Sequence, residues 1–363
     1  MGTRTRGFAN NISSPGGVFD ATDLNGVVPA TNIANSSLTN VTEVSPSLGY
    51  AVSSVASDPP APDTGQMWYN TTSNVLKFLG TTTAGAWASG ENLGTARRLI
   101  AGAGTQTSAL GFGGYTTTAL ANTEEYDGTS WTAGGNLGTA RQGPGGCGTQ
   151  TSALAFGGEI ALPTAVTEEY DGTSWTSGGN LGTARYSLGG AGTQTSALAF
   201  GGETTVVIVN TEEYDGTSWT SGGNLATARK SLAGAGTQTS ALAFGGFVPP
   251  PQSVTEEYDG TSWTSGGSLT TARRSLGGAG TQTSALAFGG EAPPGNTNQS
   301  ATEAYNGTSW TADTSMSTAR RDLAGCGTQT SALAFGGRTT VNLANTEEFT
   351  GAGAPVTRTV TGS

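Results

Sequence analysis

The chain repeats one segment six times, and this period restricts the folds that are open to it. Thr-Ala-Arg recurs with steps of 44 residues, the last step being 47, and its arginines are Arg97, Arg141, Arg185, Arg229, Arg273 and Arg320. Each copy continues through small residues, Gly-Thr-Gln-Thr-Ser-Ala-Leu, Phe-Gly-Gly, a variable stretch, Thr-Glu-Glu-Tyr-Asp-Gly and Thr-Ser-Trp, with departures in the last two copies. A fixed period of this size predicts a propeller or a solenoid.

One copy reads as four short strands. After Arg185 come a Gly- and Ala-rich run (186–192), the alternating segment Ser-Ala-Leu-Ala-Phe (196–200), Thr-Glu-Glu-Tyr (211–214) and Thr-Ser-Trp (217–219). Asp215-Gly216 predicts a tight hairpin with two residues of positive φ between the last two strands. Because such a sheet cannot bury both faces alone, the copies must stack, and closure into a ring protects their inner edges.

The order of features resembles the kelch family of β-propellers. In that pattern an arginine opens the inner strand, a glycine pair ends the second, a tyrosine marks the third and a tryptophan the fourth. Here these roles fall on Arg185, Gly201-Gly202, Tyr214 and Trp219, and the resemblance covers about residues 85–350. It implies a six-bladed, all-β propeller and leaves the function open, since such folds host many activities.

The outer-strand tryptophans are expected to form the core between blades. They can bury a large apolar area against the next blade, and they are Trp87, Trp131, Trp175, Trp219, Trp263 and Trp310. Trp87 precedes the first full copy, while the last copy has no tryptophan, so we expect the Trp87 strand to complete the sixth blade. Residues 354–360 are the alternative segment for that position. The predicted propeller domain is 85–363.

Residues 1–60 have another composition. They are rich in Asn, Ser, Thr, Pro and Gly, show no period, and have too few large apolar groups to fold alone. One interpretation is a disordered tail; we favour an extended arm that is ordered by a partner or by other copies of the chain.

Residues 61–84 are expected to form a β-hairpin that turns at 72–74. Residues 61–87, in which Pro-x-x-Gly-Gln-x-Trp-Tyr-Asn precedes an Asn-x-Leu-Lys strand and a later tryptophan, are similar to a short module of tailed-bacteriophage tail-fibre and other virion proteins. That resemblance implies a virion protein, assembled in the host cytoplasm, with an attaching arm and a propeller.

The composition excludes several kinds of chemistry. The chain has no histidine, a net charge of −11 and only two cysteines, Cys147 and Cys326, which replace alanine in non-adjacent copies. We therefore expect no metal, no cofactor, no disulfide and no nucleic-acid partner. No apolar run is long enough to span a membrane, so we expect no membrane insertion.

Paired carboxylates raise the possibility of glycoside hydrolysis. However, the Glu-Glu pair recurs in nearly every copy, and adjacent residues of a strand point to opposite faces. We expect one glutamate in each blade to pair with the Thr-Ala-Arg arginine and the aspartate to form a turn. The sequence therefore favours a protein that is not an enzyme.

The copies differ mainly in two places, the connection after Gly-Gly and the residue after each repeat arginine. Both are expected on one face, and loops on a rigid scaffold commonly carry recognition. Drift in unconstrained loops would produce the same variation. The candidate binding residues are Tyr115, Leu120, Ile160, Tyr186, Ile208, Lys230, Phe247, Val248, Asn296 and Arg338.

These observations predict a virion structural protein, in a tail fibre or comparable appendage, whose propeller contacts a host-surface glycan or protein. Other virion proteins are expected to bind residues 1–60, and the chain is expected to form homo-oligomers. The alternatives are a capsid or tail decoration protein without a receptor, and a virion enzyme that degrades polysaccharide.

Overall fold

A computed structural model describes residues 53–60, 66–81, 84–352 and 355–360, which contain strands and turns and no helix. No helix in those ranges therefore has the length and apolarity to cross a membrane. The chain divides into two compact units, one formed by residues 1–83 and 352–363 and the other by Ala84–Gly351. Most of the predicted arm, 1–52, lies outside the described residues.

The smaller unit contains a four-stranded sheet in the order β1-β2-β3-β30. Its strands are β1 (Ser53–Val55), β2 (Met67–Asn70), β3 (Val75–Thr81) and β30 (Pro355–Val360). β2 and β3 form an antiparallel hairpin within the segment where the sequence predicts one. Asp58 stabilises it by accepting hydrogen bonds from Trp68 Nε1 at 3.0 Å and from Lys77 Nζ at 2.7 Å.

The larger unit is a six-bladed β-propeller, the fold class that the repeat predicts. Each blade is a four-stranded antiparallel sheet. Blade 1 contains β5 (Ala101–Thr105), β6 (Ser108–Phe112), β7 (Thr123–Tyr126) and β8 (Trp131–Ala133); blade 2 contains β9 (Gly145–Thr149), β10 (Ser152–Phe156), β11 (Thr167–Tyr170) and β12 (Trp175–Ser177); blade 3 contains β13 (Gly189–Thr193), β14 (Ser196–Phe200), β15 (Thr211–Tyr214) and β16 (Trp219–Ser221).

The other three blades follow the same plan with two additions. Blade 4 contains β17 (Ala233–Thr237), β18 (Ser240–Phe244), β19 (Thr255–Tyr258) and β20 (Trp263–Ser265); blade 5 contains β21 (Gly277–Thr281), β22 (Ser284–Phe288), β25 (Thr302–Tyr305) and β26 (Trp310–Asp313), with a small hairpin of β23 (Glu291–Ala292) and β24 (Thr297–Asn298); blade 6 contains β27 (Ala324–Gly327), β28 (Ser331–Phe335), β29 (Thr346–Thr350) and β4 (Ala86–Gly90).

The Trp87 strand closes the ring, as the sequence predicts. β4 pairs antiparallel with β29, and Trp87 lies opposite Phe349. The alternative segment does not take this position, because β30 pairs with β3 in the smaller unit. The propeller unit therefore ends at Gly351, and the expected boundary of 85–363 is too long at its C-terminal end.

Glycine and alanine in the inner strands allow these strands to approach one another at the axis. A Cβ atom at Gly234 of β17 would lie 2.5 Å from the carbonyl oxygen of Gly190 in blade 3. Real Cβ atoms do not come so close to a backbone oxygen, so the position requires glycine. The small-residue run after each repeat arginine is thus a consequence of the narrow ring.

The turn between the third and fourth strands differs from the predicted two-residue hairpin. In blade 3 it has four residues, 215–218, and only Gly216 has a positive φ, at 90°. Asp215 Oδ1 instead accepts hydrogen bonds from the backbone N–H groups of Thr217 and Ser218, at 2.8 and 2.7 Å. Aspartate therefore forms the turn through its side chain, and these N–H groups keep the pKa of Asp215 below its usual value.

The apolar core lies between blades. Each outer-strand tryptophan packs on the phenylalanine of the second strand in the preceding blade, with ring centroids 4.9–5.2 Å apart. Its Nε1 donates to a threonine hydroxyl of that blade at 2.9–3.0 Å. Each tryptophan therefore packs on the preceding blade and not, as expected, on the next one.

Candidate binding site

The repeat arginines are bound in buried ion pairs inside the blades. Each pairs with the first glutamate of its own third strand at 2.6–3.0 Å, and the arginine side chains are fully buried. In blade 4, Glu256 also accepts from Ala226 N at 2.6 Å, while the Arg229 carbonyl accepts from Gly202 N of blade 3. Burial lowers the pKa of Arg229 to about 10, so it stays charged at neutral pH. The expected pairing is confirmed, and it makes these groups structural.

The second glutamate of each pair faces the following blade. It accepts a hydrogen bond from the tyrosine hydroxyl of that blade at 2.5–2.6 Å, at five of the six interfaces. At the sixth interface Ala304 replaces the glutamate and Phe349 replaces the tyrosine, and both lie in one apolar cluster. Donor and acceptor are thus absent together, which leaves no unpaired polar group at that position.

The uniform turn Gly-Thr-Gln-Thr is also occupied by contacts between blades. Gln194 Nε2 donates to the carbonyl oxygens of Ala153 and Tyr170 in blade 2, at 3.1 and 2.6 Å, and its Oε1 accepts from Ser152 Oγ at 2.9 Å. The same three bonds recur for the other five glutamines. Structure therefore explains why this turn does not vary among the copies.

The two cysteines are free, buried residues of β9 and β27. Burial raises the pKa of both thiols, that of Cys326 to about 12, so neither is a reactive thiolate at neutral pH. Within residues 53–60, 66–81, 84–352 and 355–360, no cluster of three or more Cys, Asp or Glu side chains is arranged to hold a metal.

At the start of the inner strands, six residues close a hydrogen-bonded ring around the axis. Each lies two positions after a repeat arginine, has φ of 52–56°, and donates its backbone N–H to the carbonyl oxygen of the preceding member at 2.8–2.9 Å. The members of this axial ring are Leu99, Gly143, Ser187, Ser231, Ser275 and Asp322. A pocket of about 80 Å³ lies against the ring and against the apolar residues that follow its members.

Six bridged pairs adjoin the axial ring, since one residue of each pair directly precedes a ring member in the chain, and they form what we call the axial mouth. Each pair joins the residue after a repeat arginine to the residue after a Gly-Gly pair. The pairs are Arg98–Tyr115, Gln142–Glu159, Tyr186–Glu203, Lys230–Phe247, Arg274–Glu291 and Arg321–Arg338. The two most variable places of the repeat therefore meet at one position.

The basic residues of the propeller unit converge on the axial mouth. Apart from the six buried repeat arginines, this unit has five basic residues, and all five belong to the bridged pairs: Arg98, Lys230, Arg274, Arg321 and Arg338. Against a net charge of −11 for the whole chain, the mouth is thus where the positive charge of the propeller unit is concentrated outside the buried ion pairs.

The charges on one side of the mouth balance one another. Glu203 of blade 3 accepts from Tyr186 Oη at 2.5 Å and forms an ion pair with Lys230 of blade 4. In blade 2, Gln142 Nε2 donates to Glu159 at 2.7 Å. This side of the mouth therefore has a satisfied polar network and no surplus of positive charge.

The other side, between blades 5, 6 and 1, has more arginines than carboxylates. Arg274 and Arg321 share one carboxylate, that of Glu291, at 3.0 and 2.8 Å. Arg98 lies over the Tyr115 ring at 4.8 Å, and neither it nor Arg338 forms an ion pair with the described residues. Arg338 Nε is buried and has no hydrogen-bond partner there. Burial and the nearby charges of Arg98 and Arg321 lower the pKa of Arg338, which reflects this crowding.

Asp322 is the one acidic member of the axial ring. Burial raises the pKa of its carboxyl above the usual value, while a hydrogen bond from Ser275 and the charges of Arg321, Arg338 and Arg98 oppose that shift. Its carboxylate is 3.7 Å from Arg321 Nε.

The structure separates the ten predicted binding residues into two groups. Tyr115, Tyr186, Lys230, Phe247 and Arg338 meet at the axial mouth. The others lie on the loops that leave it: Ile160 and Asn296 are exposed, and Leu120, Ile208 and Val248 are half-buried.

Several residues of the site were not among those predicted. They are Arg98, Arg274 and Arg321, the carboxylates Glu159, Glu203 and Glu291, and Asp322 of the axial ring; the loop tips also expose Leu162, Val206 and Val341. A signal for the arginines was present in the sequence, since they are basic residues directly after a repeat arginine. No local pattern indicates that blades 5, 6 and 1 bring them together.

No protein-family model matches this sequence, and a comparison with curated proteins also finds no match.

Proposed function

We propose that this chain is a non-enzymatic structural protein of a tailed-bacteriophage virion, in a tail fibre or comparable appendage, whose propeller recognises the host surface. Residues 1–60 would bind other virion proteins, and copies of the chain would associate during assembly in the host cytoplasm. The kelch-like order of each repeat and the similarity of residues 61–87 to a virion module support this proposal.

One observation carries the recognition role: the variable places of the repeat converge on the axial mouth. The repeated charged and amide groups are, by contrast, occupied in the blades and between them. Variation limited to one surface of a rigid scaffold is typical of a binding protein. The glycan or protein that is bound would differ among virions as these pairs and loops change.

A cell-binding experiment tests the proposal. The labelled full chain is incubated with a panel of bacterial strains, and bound protein is measured by flow cytometry. Replacement of residues 247–251 by glycine and serine should reduce binding, because this loop begins at Phe247 in the mouth. Thr217→Ala, on an exposed outer hairpin, is the control and should bind as the wild type does.

Each other outcome contradicts the proposal in its own way. Equal binding by the loop variant removes the variable face from recognition. Failure to bind any strain favours a decoration protein without a receptor. New reducing ends, released from envelope polysaccharide by the purified chain, would make it an enzyme.

A further inference from the structure

Four positive side chains and two ion-paired carboxylates meet where blades 5, 6 and 1 adjoin the axial ring. Glu291 is shared by Arg274 and Arg321, which leaves Arg98 and Arg338 without an ion pair among the described residues. The second carboxylate is that of Asp322, a member of the axial ring, which lies 3.7 Å from Arg321 Nε. An anion that enters this part of the mouth would therefore meet guanidinium groups whose charge is not yet balanced.

Guanidinium groups suit anions that present several oxygens. Their planar arrangement of donors matches carboxylate and phosphate, and charge-assisted hydrogen bonds of this kind are about twice as strong as neutral ones. Arg338 Nε is buried without an acceptor, as are the Nε atoms of the six repeat arginines. A ligand would therefore bind the terminal nitrogens of the Arg338 guanidinium group.

The pocket limits which part of a ligand can enter. Its volume is about 80 Å³, and its lining is mixed: Ser187, Ser231, Ser275 and Asp322 of the axial ring, and the apolar residue that directly follows each ring member in the chain. One water needs about 10–15 Å³ by this measure, so the pocket has room for a few ligand atoms. Among the described residues no arginine lines it, so the anionic group of a ligand would bind at the mouth and an uncharged end of the sugar would enter the pocket.

We propose that Arg98 and Arg338 bind an anionic saccharide at the axial mouth, with its carboxylate or phosphate at their guanidinium groups. This inference rests on the proposed recognition function and specifies its ligand. Asp322 pairs with Arg321 at 3.7 Å and its charge also acts on Arg338 and Arg98, so a ligand anion competes with it for these groups. A neutral analogue of Asp322 should therefore bind the anion more tightly than the wild type does.

Titration calorimetry of the full chain tests the proposal with glucuronate, glucose 6-phosphate, glucose and inorganic phosphate as probes. Glucuronate or glucose 6-phosphate should bind, and glucose should not. Arg98→Met and Arg338→Met should each weaken binding by about tenfold or more, the usual effect of losing a charge-assisted hydrogen bond. Asp322→Asn should bind several-fold more tightly, and its polar side chain tolerates the positive φ of that position.

Thr217→Ala, on an exposed outer hairpin of the propeller unit, is the control and should leave affinity unchanged. Binding that is insensitive to both arginine variants overturns the proposal, as does the absence of binding by both anionic sugars. Phosphate that binds as tightly as glucose 6-phosphate would show an adventitious ion only. If these results occur while the chain still adsorbs to cells, the ligand class is wrong and the recognition function stands.

Discussion

In the five blades that have two adjacent glutamates, the two should differ several-fold in their contribution to stability. In blade 4, Glu256 is 1% exposed, forms a 3.0 Å ion pair with the fully buried Arg229 and accepts from Ala226 N. Glu257, the next residue of β19, is half-buried and accepts from Tyr305 Oη at 2.5 Å. Period-two alternation sends one side chain into the blade and the other toward blade 5.

Glu256→Gln removes the counter-charge of Arg229 and leaves a buried guanidinium without compensation. Removal of one partner from a buried ion pair costs about 3–5 kcal/mol in the free energy of unfolding. Glu257→Gln keeps a carbonyl acceptor for the tyrosine hydroxyl, so only the charge-assisted part of one hydrogen bond is lost. That change should cost about 1 kcal/mol.

Urea denaturation of the full chain, followed by tryptophan fluorescence, measures both values. The two variants differ from the wild type by the same chemical change at neighbouring positions, so each is the control of the other. A constant m-value is required, since a change would indicate a different unfolding transition. Equal losses for the two variants, or a larger loss for Glu257→Gln, would refute the structural assignment of the buried pair.

A double variant separates the charge from the rest of the contact. Arg229→Met with Glu256→Gln has no unpaired buried charge, so it should recover part of the stability that Glu256→Gln loses. Recovery should be incomplete, because the Arg229 side chain also donates to the carbonyl oxygen of Val254 at 2.6 Å. A double variant less stable than both single variants would contradict this explanation.

Three further predictions concern closure, the exceptional interface and the axial ring. Trp87→Ala should lower stability by about 3–5 kcal/mol, because it removes a large ring from the last interface and its bond to Thr302; an unchanged urea midpoint would contradict closure by β4. Ala304→Glu combined with Phe349→Tyr should recreate the tyrosine–glutamate hydrogen bond found at the other five interfaces. A double-mutant cycle should give a coupling energy of about 1 kcal/mol between the two substitutions. Strictly additive effects on stability would exclude that hydrogen bond. The folded-state pKa of Asp322 is raised, so its contribution to stability is full below its usual pKa of 3.8 and is lost as pH rises through the folded-state pKa. The Asp322→Asn variant should not show this loss. Identical pH profiles of stability for the variant and the wild type would refute this role of Asp322.

Much of the fold could be predicted from the sequence because its signals are local. Alternation in Ser-Ala-Leu-Ala-Phe, glycine pairs at strand ends and the spacing of Trp87 define strands, their order and the closing strand. The hairpin at 61–84 follows from the same kind of pattern. Composition cannot tell a two-residue turn from a four-residue one, and Asp215 forms the second kind through its side chain.

The contacts between blades could be assigned only from the tertiary structure. Gln194 reaches the carbonyls of blade 2, and Tyr126 reaches Glu348 across the point where the ring closes. Such partners are far apart along the chain or belong to different copies, so no local pattern assigns them. The one sign of the glutamate–tyrosine pairing in the sequence is that Ala304 replaces this glutamate in one copy and Phe349 replaces this tyrosine in the next.

The sequence by itself determined a ring of six similar blades, because the period dictates the strands of each blade and equal blades must stack. Only the tertiary structure showed where the residues that differ among the copies lie relative to one another. Closure of the ring brings Arg98 of the first copy beside Arg321 and Arg338 of the last, more than two hundred residues apart in the chain. Their like charges meet at the axial mouth because blades 1 and 6 are neighbours in space. That relation exists only in the closed ring.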